Sequence, residues 1–428
     1  MKLPGSLVVL MAVIQAGLPG RATSVEAVIP PEVRLLTEAK TFRVEVEQSY
    51  GPAGEKKLAF NAVAVELLTG SGLVAATGDA ADLKVRIHAE GTPQSQKYRD
   101  MGSGEMVEHF AGAKLAGWIE LVARTGPPVR VTFSGERAPP LTIHEAFAEP
   151  GDAPFAAVFG GFVDRMTTLV SHARGPGAAE KIFAKRDLGP LEYDAPRLQF
   201  SVAQVLGEMK PPGVMEKLLA GFETYSPPQR RAAAARGLLV LHDAAAIPAL
   251  VAQLDDEEYE LEKMEKDGRW AALISMEMAF TNEEDGGGFL QSPRPEIMET
   301  LRQLDSPGKI ALLTTALQDG SSVLRRVGAA LLLGQTKQPR VVATLIAALQ
   351  GDTHSLVQAA AANALAFVGD KRAALPLLKR ALQADDDEAK YAALRALETI
   401  APEMVPREKP AEPAPPENPA EETPPKTR

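Results

Sequence analysis

Six histidines and no cysteine set the limits on the chemistry this chain can do. His88, His109, His144, His172, His242 and His354 are scattered, without the short spacings by which helices or loops present metal ligands together. The missing thiols remove disulfides, thiolate metal sites and a cysteine nucleophile. No H-E-x-x-H zinc helix, G-x-x-x-x-G-K-S/T phosphate loop or G-x-S-x-G nucleophile elbow occurs. The loop NEEDGGG from Asn282 superficially resembles a calcium loop. Its fifth position is Gly286 and its twelfth Pro293, where a calcium loop needs oxygen donors, so it reads as a flexible insertion. The acidic groups Asp255-Asp256, Asp352 and Asp385-Asp386-Asp387 precede Ala-rich helical segments, where carboxylates cap exposed N–H groups. No catalytic residue, metal ligand or cofactor is therefore expected. What remains is recognition chemistry. The paired arginines Arg230-Arg231 and Arg325-Arg326, and the aromatics Tyr259 and Trp270, are the candidate partner-binding residues, being of the types that anchor protein interfaces.

The elements that must position these residues come in two kinds. From Leu198 to Ile400 short Ala/Leu-rich helical patterns run in pairs. Arg325-Arg326, Val357-Gln358 and Ala389-Lys390 hold equivalent places at a period of about 32 residues, the signature of a solenoid. QFSVAQVLGEM with VMEKLLAGF, and QRRAAAARGLLVL with AAIPALVAQL, make the first two pairs. Arg230-Arg231 lies 95 residues before Arg325-Arg326, close to three periods, which predicts repeats running through an irregular middle at 255–295. About six pairs are expected, the last truncated at Ile400.

The segment 37–175 has a different period. TFRVEVEQ from Thr41, DLKVRIHAE from Asp82, KLAGWIELV from Lys114 and PVRVTFSG from Pro128 alternate like strands. KLAFNAVAVELL from Lys57 and the stretch Ala153 to His172 read as amphipathic helices. The expected fold class is therefore an α+β N-terminal domain, an antiparallel sheet with two helices on one face, followed by an all-α solenoid. Residues 176–197, rich in Gly and Pro, are expected to be a linker between 37–175 and 198–401.

The ends differ from both. Lys2, the apolar run Leu7 to Ile14, and the small residues Gly20 and Ala22 predict a signal peptide over 1–22 and a periplasmic or secreted protein. The run is too short to span a bilayer, so no transmembrane segment is expected after cleavage. Residues 402–428, rich in Pro and Glu, are expected to be a disordered tail. A net charge of −10, with no basic stripe, argues against a nucleic-acid partner.

Three phrases share one plan: QRRAAAARGLLVLHDAAAIPALVAQLDD, LRRVGAALLLGQTKQPRVVATLIAALQGD and LVQAAAANALAFVGDKRAALPLLKRALQADD. Each has a polar entry, an Ala-rich first helix, a turn, a second helix ending in Leu and an acidic exit. On these residues the chain resembles the HEAT-like repeats named after phycobilisome lyases, over roughly 198–400. That resemblance implies an α-solenoid used mostly for protein–protein contact, some members being chromophore lyases, though no lyase-specific residue set is matched. Iron-dependent HEAT-repeat hydroxylases carry His-Glu pairs in several repeats, whereas this chain has only His144-Glu145, outside them. The N-terminal arrangement, with its GL…ADLKVRI join, is similar to small domains of bacterial envelope proteins. The function expected is a non-catalytic exported adaptor that binds a protein through its repeats. The alternatives are a lyase-like enzyme handling a cofactor, and a ligand- or polymer-binding N-terminal domain.

Overall fold

The computed structural model describes residues 29–50, 58–76, 80–99, 104–137, 158–185, 195–223, 226–255, 293–319, 322–383 and 387–406. Candidates Tyr259 and Trp270, the loop from Asn282, and the expected signal peptide and most of the tail lie outside these residues.

The N-terminal unit opens with a short helix, α1 (Pro31–Glu38), then β1 (Thr41–Tyr50), α2 (Phe60–Gly70), the two-residue β2 (Val74–Ala75), β3 (Leu83–Arg99), β4 (Met106–Ala123) and β5 (Val129–Arg137). Two helices follow, α3 (Gly160–Arg174) and α4 (Gly177–Ala184). The five strands form one sheet in the order β2-β1-β3-β4-β5. Strands β3, β4 and β5 are antiparallel, as expected from sequence. The pair β1 and β3 is not: it runs parallel, in register from Phe42 opposite Leu83 to Tyr50 opposite Gly91. The cause is α2, which lies between the two strands and carries the chain back to its starting end, so the second strand repeats the direction of the first. The sheet is thus mixed.

Alternation puts Leu83, Val85, Ile87 and Ala89 of β3, with Leu115, Ile119 and Leu121 of β4, on the buried face. An aromatic cluster fixes the helices there. Phe60 of α2 meets Phe159 edge-on at 4.9 Å and Phe162 of α3 at 4.7 Å, and Phe162 meets Phe133 of β5 at 5.3 Å.

The stretch expected to be a plain linker contains α4, and it is packed. Ala178, Ala179, Ile182 and Phe183 are buried on one helical face, and the Lys181 ammonium donates to the Gly70 carbonyl at 3.0 Å. Eight residues with four apolar ones at helical spacing are enough when both sides are covered. The core accordingly runs without a break from Leu36 to Ala401.

The repeats are α5 (Ala195–Met209) with α6 (Val214–Leu219), α7 (Pro228–Leu241) with α8 (Ile247–Ala252), α9 (Arg294–Gln303) with α10 (Lys309–Gln318), α11 (Val323–Gln335) with α12 (Val342–Gly351), α13 (Ser355–Val368) with α14 (Ala374–Ala381), and a lone α15 (Asp387–Ile400). The first helices α5, α7, α9, α11, α13 and α15 stack in order, and small residues let them approach: a Cβ added to Gly207 would lie 2.5 Å from the Gly237 carbonyl oxygen. The left-handed residues Lys210, His242, Lys337 and Gly369 end four of these helices, 32 residues apart within each neighbouring pair.

The irregular middle expected at 255–295 lies almost wholly outside the described residues, but the helices that flank it are described. Helix α7 packs directly on α9, the Thr300 hydroxyl bonding the Ala235 carbonyl at 3.1 Å, so no layer lies between them. Only one described first helix separates α7 from α11, although three periods separate their arginine pairs. Of the acidic groups expected to cap, Asp352 accepts the His354 N–H at 2.9 Å at the entry of α13, while the side chains of Asp255-Asp256 and Asp385-Asp386-Asp387 lie outside the described residues. Ser322 and His354 cap α11 and α13, while Asp243 and Asp370 cap the turns that open second helices.

Candidate functional site

The arginines offered as partner anchors divide by burial. Arg230 is 3% exposed and donates from Nε to the Phe183 carbonyl at 3.2 Å and from Nη1 to the Ser226 hydroxyl at 3.2 Å. Arg326 is 7% exposed; its Nε and Nη2 reach the two Asp352 oxygens at 2.8 and 3.2 Å, and Nη1 reaches the Asp319 carbonyl at 3.3 Å. Arg294 plays the same part, bonding the Leu254 and Leu324 carbonyls at 2.5 and 2.9 Å. Phe183, Leu254 and Asp319 lie at the ends of helical segments, whose last carbonyls are unpaired and negative, so these guanidinia staple the stack from within, Arg294 also reaching Leu324 in the first turn of α11. Arg230 and Arg326 are corrected from surface anchors to internal caps. Arg231 and Arg325 are half-buried, Arg325 pairing with Asp319 at 2.6 Å. Gln358, one period after Arg326, repeats the device by bonding the Asp352 carbonyl at 2.6 Å, and its own oxygen receives Arg380 Nε at 2.5 Å. Arg326, Asp352, Gln358 and Arg380 thus form one chain of bonds across successive repeats.

The surface that the regular repeats leave open is formed by their second helices. Positions 311, 315 and 318 of α10 are Ala, Thr and Gln; one period on, in α12, they are Ala343, Ala347 and Gln350; one period further, at α14, they are Leu375, Lys379 and Leu382. All nine are exposed, and only Lys379 is charged. Leu375 and Leu382 are 67% and 66% exposed, with Leu312 alongside in α10. Three adjacent helices therefore present a nearly uncharged strip. This face is the candidate site. Sequence reasoning had the period that generates it but looked at the first-helix arginines, which the same period buries.

A second, chemically opposite surface is the open face of the sheet. Trp118 of β4 is stacked on His88 of β3 at 5.2 Å, with the Arg130 guanidinium 4.0 Å from its ring. His88 is held through both ring nitrogens, by Glu90 at 3.1 Å and Glu47 at 3.3 Å, and these carboxylates raise its pKa, Glu90 most. Glu120, nearly buried, is flanked by Arg130 at 2.9 Å and Arg86 at 3.4 Å. Every charge described here has an opposite neighbour on its own or an adjacent strand, which consumes the face's own capacity for ionic contact.

Two buried carboxyls lie elsewhere. Asp164 of α3 accepts from the Ser201 hydroxyl of α5; burial pushes its pKa up against that bond and Arg197. Glu296 of α9 is pushed up to about 7, chiefly by burial. Among the described residues no three His, Asp or Glu side chains are grouped to hold a metal, and no helix is long and apolar enough to cross a membrane.

The stacked pairs, the 32-residue period and the Ala-lined seams agree with one comparison in particular: the family model for HEAT repeats matches 310–398. No curated protein matches the chain. Among solved structures, human deoxyhypusine hydroxylase in complex with glycerol is 20% identical, covers 59% of this chain and 91% of its own, and superposes with a TM-score of 0.23. The complex of CpcE and CpcF of phycocyanin lyase from Nostoc sp. PCC7120 is 19% identical, covers 61% and 96%, and has a TM-score of 0.26. Superpositions that loose carry no argument about activity. The candidate face is built on α10, α12 and α14, within the stretch that the HEAT-repeat model matches.

Proposed function

We propose that this chain is a non-catalytic scaffold that holds a protein partner on the second-helix face of its HEAT array, in an exported protein. One observation carries the reading: the strip from Ala311 to Leu382 exposes apolar and small uncharged side chains on three adjacent helices, in a chain with 24% charged residues. Such a patch on an otherwise charged surface is the mark of a contact site. The strip offers no titratable group except Lys379, which favours binding over the lyase-like alternative, since cofactor chemistry needs convergent acids and bases. The N-terminal apolar run Leu7 to Ile14 supports export, and sequencing the N-terminus of the mature protein checks it.

Photo-crosslinkers placed at Thr315, Ala347 and Leu382 in the full chain test the partner face. The expected result is one shared crosslinked protein from all three sites and none from Tyr391 on α15. Crosslinking from Tyr391 but not from the strip overturns the reading. The stacked Trp118 supports a second reading, in which the sheet face of the N-terminal unit binds a ligand or envelope polymer. Polymer retention abolished by Trp118→Ala, with the strip silent, selects it.

A further inference from the structure

Glu296 stands where the repeat has no room for it. One, two and three periods after it, at Gly328, Ala360 and Ala392, and two periods before it, at Ala232, the stack places only buried Gly or Ala. At Gly328 an added Cβ would fall 2.9 Å from Arg294 Nη2 and 3.3 Å from Met298 Sδ of the neighbouring first helix. Glu296 is 8% exposed, and its Oε2 is buried without a hydrogen-bond partner. The helix carrying it packs on α7, where Thr300 bonds the Ala235 carbonyl one turn away.

Among the described residues, the groups that face this carboxyl are few. From α7 comes Arg236, which favours the charged form; from its own helix comes Glu299, which opposes it and is paired with Arg302. The second helix α8, IPALVA, offers no titratable side chain. The cations of α11 are engaged, Arg325 with Asp319 and Arg326 with Asp352. A neutral carboxylic acid fits such a seam at the expense of one unmade bond. An ionised one leaves a charge in a helix–helix contact, with Arg236 as its one counter-charge among the described residues.

We propose that the seam between α7 and α9 is a proton-controlled joint of the solenoid, closed while Glu296 carries its proton and loosened when it loses it. The joint divides the N-terminal unit and the first two helix pairs from the regular HEAT repeats, so deprotonation frees the two halves to reorient without unfolding either. It does not depend on which face holds a partner.

Hydrogen exchange of the full-length protein, corrected for intrinsic rates and followed from about pH 6 to about pH 8, reads the joint directly, because each pKa unit of Glu296 is worth a factor of ten. Protection in α7 and α9 is expected to fall about tenfold or more over that interval, while α11 and α13 stay unchanged. Glu296→Gln and Glu296→Ala, the latter restoring the residue type of the other repeats, are expected to flatten the response. Arg236→Met keeps the carboxyl, removes its counter-charge, and is expected to move the transition to higher pH. A flat wild-type profile overturns the proposal, as does a pH response retained in both Glu296 variants or left in place by Arg236→Met.

Discussion

Two seams of the same solenoid show how one architecture tolerates opposite chemistries. Between α11 and α13, Gly334 lies against Ala364 so closely that an added Cβ would fall 2.6 Å from the Ala364 Cα, and Ala359 to Ala362 are all buried. Between α7 and α9 the corresponding layer holds Thr300, Arg236 and Glu296. The first seam is held by backbone proximity and dispersion, the second by a hydroxyl bond and an uneasy carboxyl. What they share is the guanidinium staple, Arg326 in one neighbourhood and Arg294 in the other. The helix ends therefore fix the stacking order, while the seam residues set how tightly each step closes.

The largest effect tests the shared staple. Arg326→Met removes the cation from an Asp352 carboxylate whose side chain is 10% exposed, leaving a buried charge unpaired, and is expected to destabilise by about 4 kcal/mol in chemical denaturation. Arg294→Met strips the bonds to the Leu254 and Leu324 carbonyls and is expected to cost about 2 kcal/mol. Equal losses would mean that the staples work through packing and not through charge.

Next comes the tight seam. Gly334→Val inserts three carbons where even one has no space, and is expected to cost about 3 kcal/mol although valine is the better helix former. A neutral result would show that α11 and α13 slide freely, which would remove the contrast between the seams.

The polar seam predicts a pH dependence with a definite sign. The folded-state pKa of Glu296, about 7, lies above its ordinary 4.5, so between those values the folded chain keeps a proton that the unfolded chain has released. Its contribution is fully present below about 4.5 and is lost as pH rises through about 7. The interval corresponds to roughly 3 kcal/mol. Glu296→Gln, still burying an unbonded amide, is expected to gain about 2 kcal/mol over wild type at pH 8 and nothing at pH 4, by urea denaturation at each pH. A gain of the same size at both would assign the effect to shape.

How far these seams were legible beforehand depends on what each feature is made of. The first helices were, because Ala-rich segments with a polar entry recur every 32 residues and local propensity agrees with the period. The burial of Arg230 and Arg326 was not, because the carbonyls that receive them belong to other helices: Phe183 precedes Arg230 by 47 residues, and Asp352 follows Arg326 by 26. An arginine pair looks the same in sequence whether it faces water or a helix end. The parallel pairing of β1 and β3 was implicit in the strand–helix–strand order but was outweighed by the hairpins that follow. Glu296 was missed because EIMETLRQL reads as an ordinary amphipathic helix; only comparison with Gly328, Ala360 and Ala392 in register marks it as out of place. The second-helix strip was legible in principle, being a pure consequence of the period, once the first-helix positions were known to be inside.

The smallest stability effect carries the largest functional one, and it concerns surfaces. The sheet face and the second-helix strip are both open, yet the charges of the first are matched by their own neighbours, whereas Leu375 and Leu382 have more than half their surface in water. Placing charge at exposed positions removes no packing, so Leu375→Glu with Leu382→Glu is expected to change stability by less than about 0.5 kcal/mol. If the strip is the contact site, the same pair abolishes crosslinking from Ala347, one period away, because two carboxylates carried into an apolar contact are desolvated at a cost that the exposed Lys371 and Lys379 offset only in part. On the sheet face the logic reverses: Glu47→Gln removes one of two carboxylates from His88 and lowers its pKa, measurable by NMR titration, without affecting a partner held by the helices. Loss of the crosslink with the double leucine variant and its persistence with the sheet variant would separate the two surfaces by function as cleanly as charge separates them now; the opposite pattern would transfer the binding role to Trp118 and its neighbours.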